Sequence, residues 1–268
     1  MSALARLLAE IHNRDRLLSS VGRLHLLLAA VFAAAALVDA RTILGIDPWV
    51  KPFKFAVSIS IYLFTTAWLL GHVRHRVPRA SAVVSRGVAL AMFVEIVCIA
   101  EQSLRGVPSH FNQATPLDAA VFGVMGFMIL VNTLLAALLL ALFLASDAGL
   151  PRPYLWGVRL GLLLLLAGSV EGAGMIVHGA HTVGAPDGGP GLALVNWSTQ
   201  AGDLRPAHAV ALHGLQVLPL FGWWMARTRR PWGEAGRTTA VFAFAAGYAL
   251  LSIAVLALAL SGRPLLLV

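Results

Sequence analysis

The sequence predicts an all-α membrane protein, a polytopic bundle of about seven transmembrane helices. Of its 268 residues, 59% are hydrophobic and only 12% are charged, and the mean hydropathy is +0.81. The charged share is about half of that in a typical soluble domain. Seven apolar segments are long enough to cross a bilayer, at residues 18–40, 53–73, 82–104, 118–145, 154–180, 206–226 and 238–261.

No linker or repeat separates these segments, so residues 1–268 are expected to form one transmembrane domain in the lipid bilayer. A short stretch at residues 1–17 precedes the first span. Within it, Leu4, Leu7 and Ile11 recur at helical spacing, and charged residues occupy the opposite face. This pattern predicts an amphipathic helix that lies in the membrane interface.

Basic residues predict the orientation of the bundle. Eleven arginines flank one set of span ends, whereas six lysines and arginines flank the other. Because basic residues are retained on the cytoplasmic side, the N-terminus is expected in the cytoplasm and the C-terminus outside, in a bacterial-type cytoplasmic (inner) membrane. Nucleic acid is not an expected partner, since the net charge of +8 is spread over short clusters between apolar spans.

Ionisable side chains gather in the outer halves of three predicted spans. Glu95 lies about 13 Å below the outer boundary in the third span, and Glu171 is similarly deep in the fifth. In the sixth span, His213 lies at a depth of about 10 Å. An ionisable group at such a depth costs several kcal/mol unless it is paired, neutral or ligating. We therefore expect Glu95 and Glu171 to be catalytic and to relay protons.

The histidines of the outer half are candidate cofactor ligands. In the fifth span, Glu171, His178 and His181 recur at helical spacing and are expected to share one face. Imidazoles on different helices are the usual axial ligands of a b-type haem, and arginines suit its propionates. We therefore expect one haem b in a redox protein that transfers electrons and protons from a quinol. Its cofactor-binding residues would be His110, His178, His208, His213, Arg41, Arg105 and Arg205.

Two alternatives remain open at this point. One is a metal-dependent enzyme acting on a lipid-like substrate, with zinc, iron or copper bound by His178, His213, Glu171 and Glu95. The chain contains no HExxH motif, so an oxidoreductase is favoured over a hydrolase. The other is a proton-coupled transporter in which the buried carboxyls are protonation sites. The sequence also leaves a homo-oligomer open.

Overall fold

The structure, a computed structural model, describes residues 2–146, 148–228 and 232–266 and is mostly helical there. Seven of its helices are long and apolar enough to span a membrane, which confirms an all-α, multi-pass membrane protein. Each coincides with a predicted span to within four residues at either end. In chain order, the elements are α1 (Ala3–Arg14), α2 (Arg16–Ala36), α3 (Val50–Val73), α4 (Pro78–Arg105), α5 (Pro116–Leu144), α6 (Arg152–His178), β1 (Thr182–Val183), β2 (Gly202–Asp203), α7 (Arg205–Arg227) and α8 (Glu234–Leu260).

The predicted N-terminal helix is confirmed as α1, and its last turn attaches it to the bundle. The Arg14 guanidinium lies 3.8 Å from the centroid of the Trp68 ring in α3, and it forms an ion pair of 2.9 Å with Glu10. The chain then turns at Asp15, whose carboxylate accepts the Leu18 N–H at 3.0 Å. This hydrogen bond caps the N-terminus of α2, so α1 and α2 meet at a defined corner.

The chain divides into two compact units, and the boundary between Leu135 and Ala136 falls within α5. In the first unit, α2 packs against α3 and α4. His25 is fully buried there; its Nδ1 lies 2.7 Å from the Val21 carbonyl and its Nε2 lies 3.3 Å from the Met92 carbonyl of α4. Only the contact with Met92 reaches another helix, and buried polar contacts of this kind hold membrane helices together. A single domain over residues 1–268 stays a prediction.

In the second unit, α6 and α7 pack with their backbones in direct contact. A Cβ atom on Gly157 would lie 2.5 Å from the carbonyl oxygen of Leu218, and one on Gly161 would lie 2.8 Å from that of Gly214. Glycine at these positions is what allows the two helices to approach so closely. Helix α8 packs against both of them, so α6, α7 and α8 form the body of this unit.

The loop between α6 and α7 is folded, as its glycines, prolines and aspartates predict. Helix α6 ends at His178, because Gly179 adopts left-handed backbone with a φ of +73°, a common way to end a helix. The expectation that His181 continues the helical face of Glu171 is therefore wrong. His181 lies in the loop instead, with its Nδ1 3.1 Å from the Asp187 carboxylate.

Candidate functional site

The predicted site residues fall in both compact units, and each group is described within its own unit. In each unit, some of these residues form ion pairs within the protein, whereas others have a polar atom without a hydrogen-bond partner among the described residues. The first unit holds Arg41, Glu95, Arg105 and His110, and the second holds Glu171, His178, Arg205, His208 and His213.

Glu95 and His110 come together in the first unit. Glu95 belongs to α4 and is only 2% exposed, while His110 belongs to the loop between α4 and α5. The His110 Nε2 and Glu95 Oε1 atoms are 3.9 Å apart. The other carboxyl oxygen, Glu95 Oε2, is buried and has no hydrogen-bond partner among the described residues. Such an oxygen is costly to leave unpaired, so it is available to a proton or a bound group.

Aromatic rings surround the same histidine. The His110 ring centroid lies 5.6 Å from that of Phe55, 6.2 Å from that of Phe111 and 6.1 Å from that of Phe122. Phe111 has left-handed backbone with a φ of +57°, which costs a residue with a side chain on the order of 1–2 kcal/mol. Strain of this kind concentrates at functional sites. We call the set of Phe55, Glu95, His110, Phe111 and Phe122 the Glu95 cluster.

Arg41 is held by an aspartate of its own loop. Its guanidinium donates hydrogen bonds to both carboxylate oxygens of Asp39, at 2.9 and 2.6 Å, and to the Leu104 carbonyl at 3.0 Å. The Trp49 indole N–H adds a hydrogen bond of 2.8 Å to Asp39. The Arg41 and Trp49 hydrogen bonds hold the pKa of Asp39 well below its usual range. The predicted role of Arg41 at a haem propionate therefore gains no support.

Arg105 is also paired, in a hydrogen-bond network where α4 ends and α5 begins. Its guanidinium donates to Asp118 at 2.8 Å and to Gln102 at 2.6 Å. Asp118 is 1% exposed and accepts further hydrogen bonds from the Gln102 amide at 3.2 Å and the Thr115 hydroxyl at 2.6 Å. Glu101 is a second partner of Arg105, at 3.5 Å. Arg105 therefore joins the end of α4 to the start of α5, and its predicted role at a haem propionate gains no support.

His208 in α7 is the best-oriented candidate ligand of the second unit. Its Nδ1 lies 2.7 Å from the Gly168 carbonyl in α6. Because a carbonyl only accepts hydrogen bonds, Nδ1 carries the hydrogen of the neutral ring and Nε2 carries the lone pair. Ligating histidines are oriented in this way. Gly172 leaves room for the ring, since a Cβ atom there would lie 3.0 Å from His208 Cε1.

The side chains of Glu171, His178 and His213 are more exposed than that of His208. Glu171 is half-buried, and its buried Oε2 has no hydrogen-bond partner in the described part of the chain. His178 is exposed at the end of α6, with its Nε2 3.1 Å from a loop carbonyl. His213 lies inside α7 but is exposed, 3.3 Å from the Gln216 amide oxygen. It points away from His208, because five residues turn a helix by about 140° beyond a full turn.

Arg205 is the third candidate arginine that pairs with an aspartate. Its guanidinium donates to both carboxylate oxygens of Asp203, the shortest contact being 2.6 Å, and to the Asn196 carbonyl. Asp203 is 3% exposed, and burial by itself raises the pKa of its carboxyl group. The Arg205 guanidinium and the backbone N–H groups of Ser198 and Arg205 outweigh burial and keep that pKa below its usual value. The pair thereby holds the α6–α7 loop together.

Replacing Asp203 with asparagine is expected to loosen this loop in a pH-dependent way. Because folding lowers the pKa of Asp203, its contribution to stability is complete above the unfolded pKa of about 3.9. It is lost as the pH falls through the lower pKa of the folded state. Hydrogen exchange of residues 181–204, corrected for intrinsic rates, should be faster in the variant at pH 7. This difference should shrink below about pH 4; a difference that stays constant with pH would contradict the ion pair.

The expected metal centre gains no support from the positions of the side chains. Within residues 2–146, 148–228 and 232–266, no group of three or more His, Cys, Asp or Glu side chains is placed to hold a metal ion. Haem, zinc, iron and copper, and with them a metal-dependent enzyme, stay predictions. Comparisons with known protein families, with characterised proteins and with solved structures gave no significant match.

Proposed function

We propose that this chain is a membrane redox protein that takes protons and electrons from a quinol at the Glu95 cluster. The observation that carries the proposal is the approach of Glu95 to His110 beside three aromatic rings. A quinol needs an apolar wall for its ring and proton acceptors for its hydroxyl groups. At 3.9 Å the carboxyl and the imidazole are too far apart to hydrogen-bond to each other, so a hydroxyl group between them can bond to both.

The two electrons of the quinol need an acceptor, and we propose one b-type haem or metal ion ligated by His208, which would take them one at a time and pass each to a one-electron acceptor protein. The hydrogen bond from Nδ1 to Gly168 supports this assignment, because it directs the ligating lone pair to Nε2. Such a centre supplies one-electron chemistry when bound. Glu171 is proposed as a second proton carrier, since its Oε2 is buried and without a partner in the described chain. The proposed location is a bacterial-type inner membrane, with the Glu95 cluster in the outer half.

A proton-coupled transporter is the second candidate. It is favoured by Glu95 and Glu171, each of which has a buried carboxyl oxygen with no hydrogen-bond partner among the described residues. Carboxyls of this kind are typical protonation sites in transporters. The transporter needs no redox centre, so a visible spectrum separates the two proposals.

Replacing Glu95 with glutamine is expected to lower the rate of quinol oxidation by about 10²-fold or more, because glutamine cannot accept a proton. The measurement is the oxidation of decylubiquinol by the detergent-purified protein, followed through reduction of its visible bands. Glu101→Gln is the matched control, because Glu101 lies on the same helix outside the Glu95 cluster. Equal rates in the two variants would refute Glu95 as the proton acceptor.

The redox centre is tested separately. A visible spectrum before and after dithionite reveals a haem, and metal analysis of the same sample detects zinc, iron or copper. We expect His208→Ala to abolish the Soret band and His75→Ala, at an exposed position, to keep it. If the wild-type protein shows neither a Soret band nor a bound metal, the redox proposal is wrong and the proton-coupled transporter is the remaining proposal.

A further inference from the structure

A cavity of about 350 Å³ lies in the first unit, at the end that carries α1. It is formed where the corner between α1 and α2, the end of α3 and the second and third turns of α4 come together. None of its lining residues belongs to the Glu95 cluster. Its polar lining residues are Asn13, Asp15, Arg16, Arg74, Ser85 and Arg86, and we call the cavity the arginine pocket.

The arginine pocket has an excess of positive charge. Three guanidinium groups and one carboxylate line it, so its ionised groups sum to +2. The carboxylate is already in use, because Asp15 is 1% exposed, caps α2 and forms an ion pair with Arg74. An anion from outside the protein would therefore meet positive charge that the protein itself does not neutralise.

The guanidinium groups also have unused donors. Arg16 and Arg86 are exposed, and their side chains form no hydrogen bond or ion pair with any residue in the ranges 2–146, 148–228 and 232–266. The Nε atom of Arg74 is buried and lacks a hydrogen-bond partner in the same ranges. A buried donor without a partner is destabilising, so an acceptor bound at Arg74 Nε would remove a penalty, while Arg16 and Arg86 would add charged contacts.

The pocket lies at the level expected for lipid phosphate groups. Arg16 is the first residue of α2, and Arg74 directly follows the last residue of α3. Helix α4 has 28 residues and is therefore about 42 Å long, whereas the hydrocarbon core is about 30 Å thick. The ends of these helices thus reach the headgroup region, where basic side chains meet anionic lipids.

We propose that the arginine pocket binds a phosphate group through Arg16, Arg74 and Arg86. Guanidinium groups hydrogen-bond to phosphate oxygens in pairs and stay charged in any environment. Asn13 and Ser85 supply further polar groups, and the N-terminus of α2 adds a favourable dipole. The phosphate belongs either to the headgroup of an anionic phospholipid or to a free phosphate ion. This proposal does not depend on the proposed redox function.

The test uses the full-length protein in a neutral detergent, titrated with short-chain phosphatidylglycerol and, separately, with inorganic phosphate. Native mass spectrometry and the melting temperature report binding. We expect the double variant Arg16→Ala/Arg86→Ala to bind phosphatidylglycerol at least about tenfold more weakly than the wild type. The control Arg76→Ala/Arg79→Ala removes the same charge from the same end but leaves the pocket intact. It should bind within about threefold of the wild type.

The outcomes divide clearly. Binding of phosphatidylglycerol but not of inorganic phosphate assigns the site to a lipid headgroup, and binding of both assigns it to the phosphate group itself. Absence of binding to the wild type, or an equal loss in both double variants, would overturn the proposal. The pocket variant should keep the wild-type melting temperature without ligand, because neither arginine has a partner in the described chain. If that melting temperature falls, the binding test is repeated with Arg16→Gln/Arg86→Gln in place of the alanine variant.

Discussion

Replacing Gly161 with alanine is expected to destabilise the protein by about 1–3 kcal/mol, a large effect for one added methyl group. The new Cβ atom would lie 2.8 Å from the Gly214 carbonyl oxygen and 3.0 Å from Pro219 Cδ, both in α7. A backbone carbonyl inside a helix cannot turn aside as a flexible side chain can. Helices α6 and α7 must therefore separate, and they lose the close packing that holds membrane helices together.

The matched control is Gly174→Ala on the same helix, where an added Cβ atom meets nothing within 4 Å. This variant should keep the wild-type melting temperature or exceed it slightly, because alanine restricts the unfolded chain. Both variants are purified in the same detergent and compared by thermal unfolding. Equal melting temperatures would be incompatible with a backbone contact at Gly161.

Asp118→Ala is expected to lower the melting temperature several times more than Glu101→Ala. Both carboxylates pair with Arg105, but Asp118 lies at 2.8 Å and is 1% exposed, whereas Glu101 lies at 3.5 Å with 41% of its side chain exposed. Loss of Asp118 leaves Arg105, Gln102 and Thr115 without their shared acceptor, and the buried amide of Gln102 loses its hydrogen-bond partner, which is destabilising. An exposed ion-pair partner contributes only roughly 0–1 kcal/mol.

Asp118→Asn separates the charge of this residue from its hydrogen bonds. The amide oxygen still accepts hydrogen bonds but carries no charge, so the melting temperature should lie between those of the wild type and Asp118→Ala. Hydrogen exchange at residues 116–122 should follow the same order, because Asp118 holds the first turn of α5. If Asp118→Ala and Glu101→Ala melt at the same temperature, the network is not what holds these helix ends together.

The architecture was predictable because it depends on local properties of the chain. A span is recognised from the hydropathy of about 20 consecutive residues, and each of the seven predicted segments matches a helix. The amphipathic pattern of α1 is equally local, since it compares residues three and four positions apart. The end of α6 was misjudged by two residues, because Gly179 ends the helix through its backbone conformation and hydropathy does not register that.

The position of a residue along a span was also predictable, but not which residues would lie beside it. The rise per residue places Glu95 well inside α4, whereas its burial depends on the helices packed around it. Its approach to His110 depends on the path of a loop, and the three phenylalanines around that histidine resemble any other apolar residues of the spans. His213 shows the same limit, because depth did not reveal which face of α7 is exposed.

By itself, the sequence determined the membrane class, the number of spans and the position of the ionisable groups along them. Only the tertiary structure decided which charges are used within the protein. In the structure, Arg41, Arg105 and Arg205 are each paired with an aspartate, whereas Arg16 and Arg86 line the arginine pocket. All five arginines lie in or next to apolar spans, so the sequence does not tell them apart. The physical reason is that hydropathy is a sum over neighbouring residues, whereas an ion pair depends on where packing places two side chains.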